Sequence, residues 1–121
     1  VAHIMSTQLF TVDEDDLADL AVSVMEWKNI HHMPVENSKG QLTGLLTWTH
    51  MKRQRDKDDN RSDLSVANLM TRDLITVRPD TEIKKAISLM KRNAIGCLPV
   101  VNDQHLVGII TINDVLPHDQ S

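Results

Sequence analysis

The chain has 121 residues, within the range of about 100–200 that forms one domain. Thirteen basic and seventeen acidic side chains leave a net charge of −4, so there is no basic excess to hold a nucleic acid. Three aromatic residues (Phe10, Trp27, Trp48) make no stacking platform for single strands, and no apolar run approaches the ~18 residues of a membrane span. A single cysteine, Cys97, excludes an internal disulfide and a cysteine-based zinc cluster, and it fits a reducing, cytoplasmic setting.

In chain order, Phe10-Thr11-Val12 is a short β-prone run. Asp13 to Asp16 follow as turn and helix-capping residues. Leu17, Leu20, Ala21, Val24 and Met25 recur at helical spacing and predict a buried face, with Asp19, Ser23 and Glu26 opposite. On that reading Leu20→Asp unfolds the domain. A second strand surrounds Met33-Pro34-Val35, with the proline expected at a strand start or an edge, because it has no amide hydrogen. Asn37 to Gly40 is a turn, Leu42 to Leu46 a third strand, and Thr47 opens a last helix. Lys52 to Asp63 holds nine charged residues in twelve and reads as a solvated helix end plus linker.

The pattern then repeats. Displaced by 65, 14 of the first 37 residues are identical, among them Val1-Ala2 with Val66-Ala67, Met5 with Met70 and Pro34-Val35 with Pro99-Val100. After the loss of one residue in a turn, Leu42, Gly44 and Thr47 fall on Leu106, Gly108 and Thr111 at an offset of 64. The second half has its own β-run (Ile75 to Val77), a turn at Pro79-Asp80-Thr81, and a helix with Ile83, Ala86, Ile87 and Met90 on one face. Leu98 to Val101, a turn at Asn102 to Gln104, and Leu106 to Ile110 follow, the last apolar enough to suggest burial on both faces. The six methionines fall on helix faces or paired repeat positions and read as core. Half-units of about fifty residues bury little surface alone, so the two halves are expected to pack together.

This ordered set resembles the cystathionine-β-synthase (CBS) domain pair, or Bateman module. The signals are Ile4-Met5, Thr11-Val12, Ala21…Met25, Ile30 to Val35 and Gly44 to Thr47 in the first copy. In the second they are Leu69-Met70, Thr76-Val77, Ala86…Met90, Ile95 to Val101 and Gly108 to Asp114. The resemblance implies an α+β fold of tandem βαββα repeats, with two three-stranded sheets packed pseudosymmetrically and flanking helices. The expected division is a first repeat over 1–55, a charged linker over 56–65, a second repeat over 66–117 and a tail over 118–121.

It also implies a cleft that binds AMP, ADP, ATP or S-adenosylmethionine, a homodimer, and control of a linked or partner domain. The start of the chain inside the repeat is that expected of a piece of a larger parent protein. The implied second-repeat site comprises Thr76, Gly96, Cys97, Leu98, Pro99, Thr111, Asn113 and Asp114. In it Asp114 accepts from ribose hydroxyls and Thr111 lies near a phosphate. Chemically, a carboxylate suits a vicinal diol and a helix N-terminus suits a phosphate. Thr-x-x-Asp is equally a helix-capping pattern, and both readings stand.

The first-repeat equivalent is Thr47 with His50, and with His31 and His32. His50 stands where the carboxylate stands in the second copy and cannot grip a diol as a carboxylate does. His31 and His32 are neighbours on a strand and point apart, so they read as surface histidines or phosphate contacts, and no metal site is expected. Gly96 leaves room for a ligand or permits a turn. Cys97 is a small buried or cleft-lining side chain. Arg72, Arg78 and Arg92 read as solvated surface residues. No nucleophile–base–orienter set occurs, so an enzyme is not expected. Two functions remain: a ligand-sensing regulatory module, or a structural dimerisation module without a nucleotide.

Overall fold

The computed structural model describes residues 1–7, 9–57 and 65–118. Most of the charged linker and the last three residues of the tail lie outside the described residues. The elements are β1 (Val12–Asp13), α1 (Ala18–Lys28), β2 (His32–Glu36), β3 (Leu42–Thr47), α2 (Trp48–Lys57) and α3 (Val66–Leu69). They continue with α4 (Ile83–Asn93), β4 (Cys97–Asn102), β5 (His105–Thr111), α5 (Ile112–Val115) and a 3-10 turn (Leu116–His118). The architecture is α+β, as the repeat predicts.

The chain forms two compact units, Phe10–Leu74 and Val1–Leu9 with Ile75–Ser121. Each unit takes its opening segment from the other repeat. Ser6 pairs with Ile109, and the equivalent Thr71 pairs with Leu45. Both exchanges are two-way backbone bonds: Ser6 N to Ile109 O 2.9 Å and back 3.0 Å, Leu45 N to Thr71 O 3.0 Å and back 2.9 Å. A methionine completes each contact. A Cβ on Gly108 would lie 2.8 Å from Met5 Cγ, and one on Gly44 would lie 2.7 Å from Met70 Cγ. Only glycine lets these methionines lie flat on the strand.

In Phe10–Leu74 a three-stranded sheet runs β1-β2-β3, with β1 parallel and β3 antiparallel to the central β2. In the other unit β4 and β5 form a two-stranded sheet, and the expected third strand is reduced to the bridge Val77↔Val100. Proline explains the difference. Glu14 N extends the parallel ladder to Glu36 O at 3.1 Å, and the equivalent residue in the second half is Pro79, which has no amide to donate.

Pro34 and Pro99 also depart from the strand-start or edge expectation, for they lie inside β2 and β4, paired with Leu45 and Ile109. The amide each lacks would face the short parallel neighbour, so the loss ends that ladder at Val12 or Val77 and leaves the antiparallel side intact. A bulge follows at the same place in both sheets, at Val35/Glu36 and Val100/Val101.

The core of Phe10–Leu74 gathers Ala18, Ala21, Met25, Met33, Val35, Leu46 and Met51, joined by Val66 and Met70. The other unit buries Val77, Ala86, Ile87, Met90, Leu98, Val100 and Ile110. Five of the six methionines are buried and Met5 packs against its core, as expected. Each large apolar side chain of this kind contributes roughly 1.5–3 kcal/mol when fully buried.

Three local expectations are corrected. The buried face of α1 is Ala18, Ala21, Val22 and Met25, while Leu17 and Leu20 are 55% and 50% exposed. Helical spacing alone could not separate two apolar stripes on one helix. Neither α1 nor α4 has a side-chain N-cap. Asp16 and Thr81 instead close the preceding turns, accepting from Asp13 N at 2.9 Å and Arg78 N at 3.0 Å. Finally, β5 alternates, with Gly108 and Ile110 buried and Val107 and Ile109 half-buried, so it is not buried on both faces.

Candidate functional site

The second-repeat residues converge where β4 begins and β5 ends. Cys97 pairs with Thr111 across the ladder, Leu98 with Ile110 and Pro99 with Ile109. Ile112 N donates to Gly96 O at 3.1 Å, which turns the chain from β5 into α5. Asp114 folds back on this turn. Its Oδ2 accepts from Thr111 N at 2.8 Å and from the Thr111 hydroxyl at 3.3 Å. The capping reading of Thr-x-x-Asp therefore holds for one carboxylate oxygen. Among the described residues Oδ1 accepts no hydrogen bond.

Cys97 is buried beside this carboxylate. Burial first, and the Asp114 charge second, push its thiol up to about 12, so it stays protonated and packs as a small apolar group. Leu98 and Pro99 are buried backing, Asn113 is exposed on α5, and Thr76 is exposed just before the Val77 bridge. A Cβ on Gly96 would lie 3.3 Å from Ile112 Cδ1. Its φ is not in the left-handed region, so the glycine makes room for Ile112 and is not required by a turn.

The first-repeat residues form the same figure with different chemistry. His32 pairs with Thr47, and Trp48 N donates to His31 O at 2.8 Å. The hydroxyl oxygen of Thr47 accepts from His50 N at 3.4 Å, a long bond where Asp114 makes a short one in the other unit. His31 is exposed. His32 is half-buried, with Nδ1 shielded from solvent and without a partner. Burial, and then the neighbouring His31, lower its pKa. Among the described residues no three His, Cys, Asp or Glu side chains gather to hold a metal ion.

The arginines sit as expected on the surface. Arg78 meets Asp80 at 3.4 Å, Arg92 reaches Ser88 Oγ at 3.5 Å, and Arg72 reaches Ala67 O at 3.3 Å. No helix among the described residues is long and apolar enough to cross a membrane. Sequence reasoning missed Ile112, which covers Gly96. Its alignment with Trp48 is the available signal, since both occupy the first helical position after the strand.

The comparisons agree with this geometry. An inosine-5'-monophosphate dehydrogenase of Methanocaldococcus jannaschii is 33% identical over 115 residues, which cover 94% of this chain and 22% of that protein. A homoserine O-acetyltransferase of Methanohalobium evestigatum is 35% identical over 117 residues, covering 95% and 23%. The chain thus spans less than a quarter of the length of these relatives. Among solved structures, the CBS domain pair of protein MJ0100, in complex with 5'-methylthioadenosine and S-adenosyl-L-methionine, superposes with a TM-score of 0.86. It is 26% identical, over 98% of this chain and 93% of that one. The CBS domain family model matches residues 1–56 and 66–120. The chain belongs to the CBS domain family and carries two copies of the domain in tandem.

Proposed function

We propose that this CBS pair is a ligand-sensing regulatory module that takes an adenosine-containing molecule at Asp114 and controls a larger protein or a partner domain. The observation that carries the reading is the division of work within one carboxylate. Oδ2 holds the turn into α5, and Oδ1 has no partner among the described residues. A carboxylate oxygen accepts and does not donate, so Oδ1 suits the hydroxyl of a ribose. Thr76, Gly96, Cys97, Leu98, Pro99, Thr111 and Asn113 are the proposed surroundings. The ligands named for the MJ0100 pair, both adenosyl compounds, support the same class.

Within that class the reading favours an adenosyl compound over ATP. The helix after Thr111 has one turn, too short for a developed macrodipole. Arg78 and Arg92 already have partners on their own unit. Ribose and adenine therefore carry more of the recognition than phosphates do. The first-repeat site, with His50 for the carboxylate, is the weaker of the two. The chain's share of the dehydrogenase and acetyltransferase relatives supports a role as one part of a larger protein. Exposed Leu17, Leu20, Trp27, Ile112 and Leu116 support a homodimer.

Thermal melts with S-adenosylmethionine, 5'-methylthioadenosine, AMP, ADP and ATP test the reading. A ligand at a hundredfold excess over Kd stabilises by about 2.7 kcal/mol, or roughly 10 °C in Tm. Asp114→Ala is expected to abolish that rise and to lose about 1 kcal/mol of apo stability with the cap. Asp114→Asn keeps an acceptor for Thr111 N, and so should spare apo stability while still weakening the ligand shift. If no compound moves the melt, the structural dimerisation module is the correct reading.

A further inference from the structure

We infer that the α1 face of one copy docks against the α4 face of a second copy, acidic surface to basic surface. This rests on the homodimer reading above and names the surfaces that meet. Helix α1 carries a second apolar stripe, Leu17, Leu20, Val24 and Trp27, beside the buried one. Trp27 is 78% exposed. Asp19 and Glu26 flank the stripe on its polar side.

The repeat places α4 residues at the same helical positions with the opposite charge. Lys84 stands for Asp19, Lys91 for Glu26, Lys85 for Leu20 and Arg92 for Trp27. The contrast extends beyond these four. Residues 13–28 hold six carboxylates and one lysine, whereas the equivalent 78–93 hold five basic and two acidic side chains. Beside Lys91, an apolar groove of about 320 Å³ opens between α4 and α5, lined by Ile87, Met90, Ala94, Ile112 and Leu116. Its counterpart in the other unit has Trp48 packed against the core, where this one has only the smaller Ile112.

An α1-to-α1 contact would set carboxylates against their own copies, and α4-to-α4 would do the same with lysines. Like charges face to face are costly, so charge selects the mixed pairing. In that pairing the α1 stripe enters the α4–α5 groove, Asp19 and Glu26 meet Lys84 and Lys91, and Trp27 offers its ring to Arg92. Lys28 Nζ already lies 4.1 Å from the Trp27 ring centroid, which marks the indole as a cation acceptor. Each copy supplies both faces, so no second kind of protein is needed.

Sedimentation across a concentration series tests this, with thermal melts as the control for folding. The wild-type chain is expected to self-associate, and less so in high salt. Reversing one face (D19K with E26K, or K84E with K91E) should raise the association Kd by at least about tenfold. Mixing the two variants, or placing all four changes in one chain, should restore it, because opposite charges again oppose. Variants that associate as the wild type does, or a mixture that stays apart, would overturn the pairing. A wild-type chain that stays monomeric throughout overturns the homodimer reading itself.

Discussion

Ala94 ends α4 with φ at 52°, in the left-handed region, and the equivalent Asn29 ends α1 at 53°. Both close the helix with paired carbonyls, but only asparagine tolerates that conformation well. Ala94→Gly is therefore expected to stabilise the chain by about 1 kcal/mol, read as a higher urea midpoint at unchanged slope. His32 is the residue whose burial couples to pH. Its pKa is lowered by burial and then by His31. The unfolded chain takes up this proton near pH 6.5, the folded chain only at lower pH. Stability is complete above about 6.5 and declines as pH falls through the folded value, because the unfolded state binds more protons there. His32→Cys, which copies the second repeat, should flatten urea midpoints between pH 7.5 and 5.5 relative to the parent.

At the scale of the element, α1 shows what spacing can and cannot decide. Apolar residues at i, i+3, i+4 and i+7 announced a helix, and α1 is one. Its circumference holds two apolar stripes, and only contact with the sheet tells which is core. Ala21→Asp buries a charge and is expected to unfold the chain, whereas Leu20→Asp should change monomer stability by under about 1 kcal/mol. Circular dichroism melts of the two variants separate these outcomes. The strand glycines are a second case. Gly108→Val should cost about 1–3 kcal/mol by driving a side chain into Met5, and Met5→Ala in the same background should recover part of the loss. The same pair of measurements applies to Gly44 and Met70.

At the scale of the whole molecule, the two units are built from exchanged pieces. Residues 1–9 complete the unit that ends the chain, and residues 66–74 complete the one in the middle. Ligand binding at Asp114 would thus stabilise a unit made from both ends of the sequence. The alternation of apolar and polar residues, the internal repeat and the Thr-x-x-Asp pattern were legible because they are local, or recur at a fixed offset. The repeat foretold the order strand, helix, strand, strand, helix, and the positions of the paired glycines and prolines. It foretold equally which residues would gather at the end of β5, since register carries Cys97 to Thr111 and His32 to Thr47.

Other features depended on contacts between residues far apart in the chain. The exchange of opening segments was invisible because Met5 and Gly108 are joined by packing alone, with no local signal for the pairing. The place of Pro34 and Pro99 inside their strands followed from which side of the sheet needs an amide. The split of Asp114 between a cap and an open oxygen could be settled only by the distances around it. Periodicity and repetition reside in the order of residues, so the sequence by itself determined the elements and their succession. Which stripe faces inward, and which atoms of a side chain are already engaged, depend on what the fold brings near them, and the tertiary structure alone decided those.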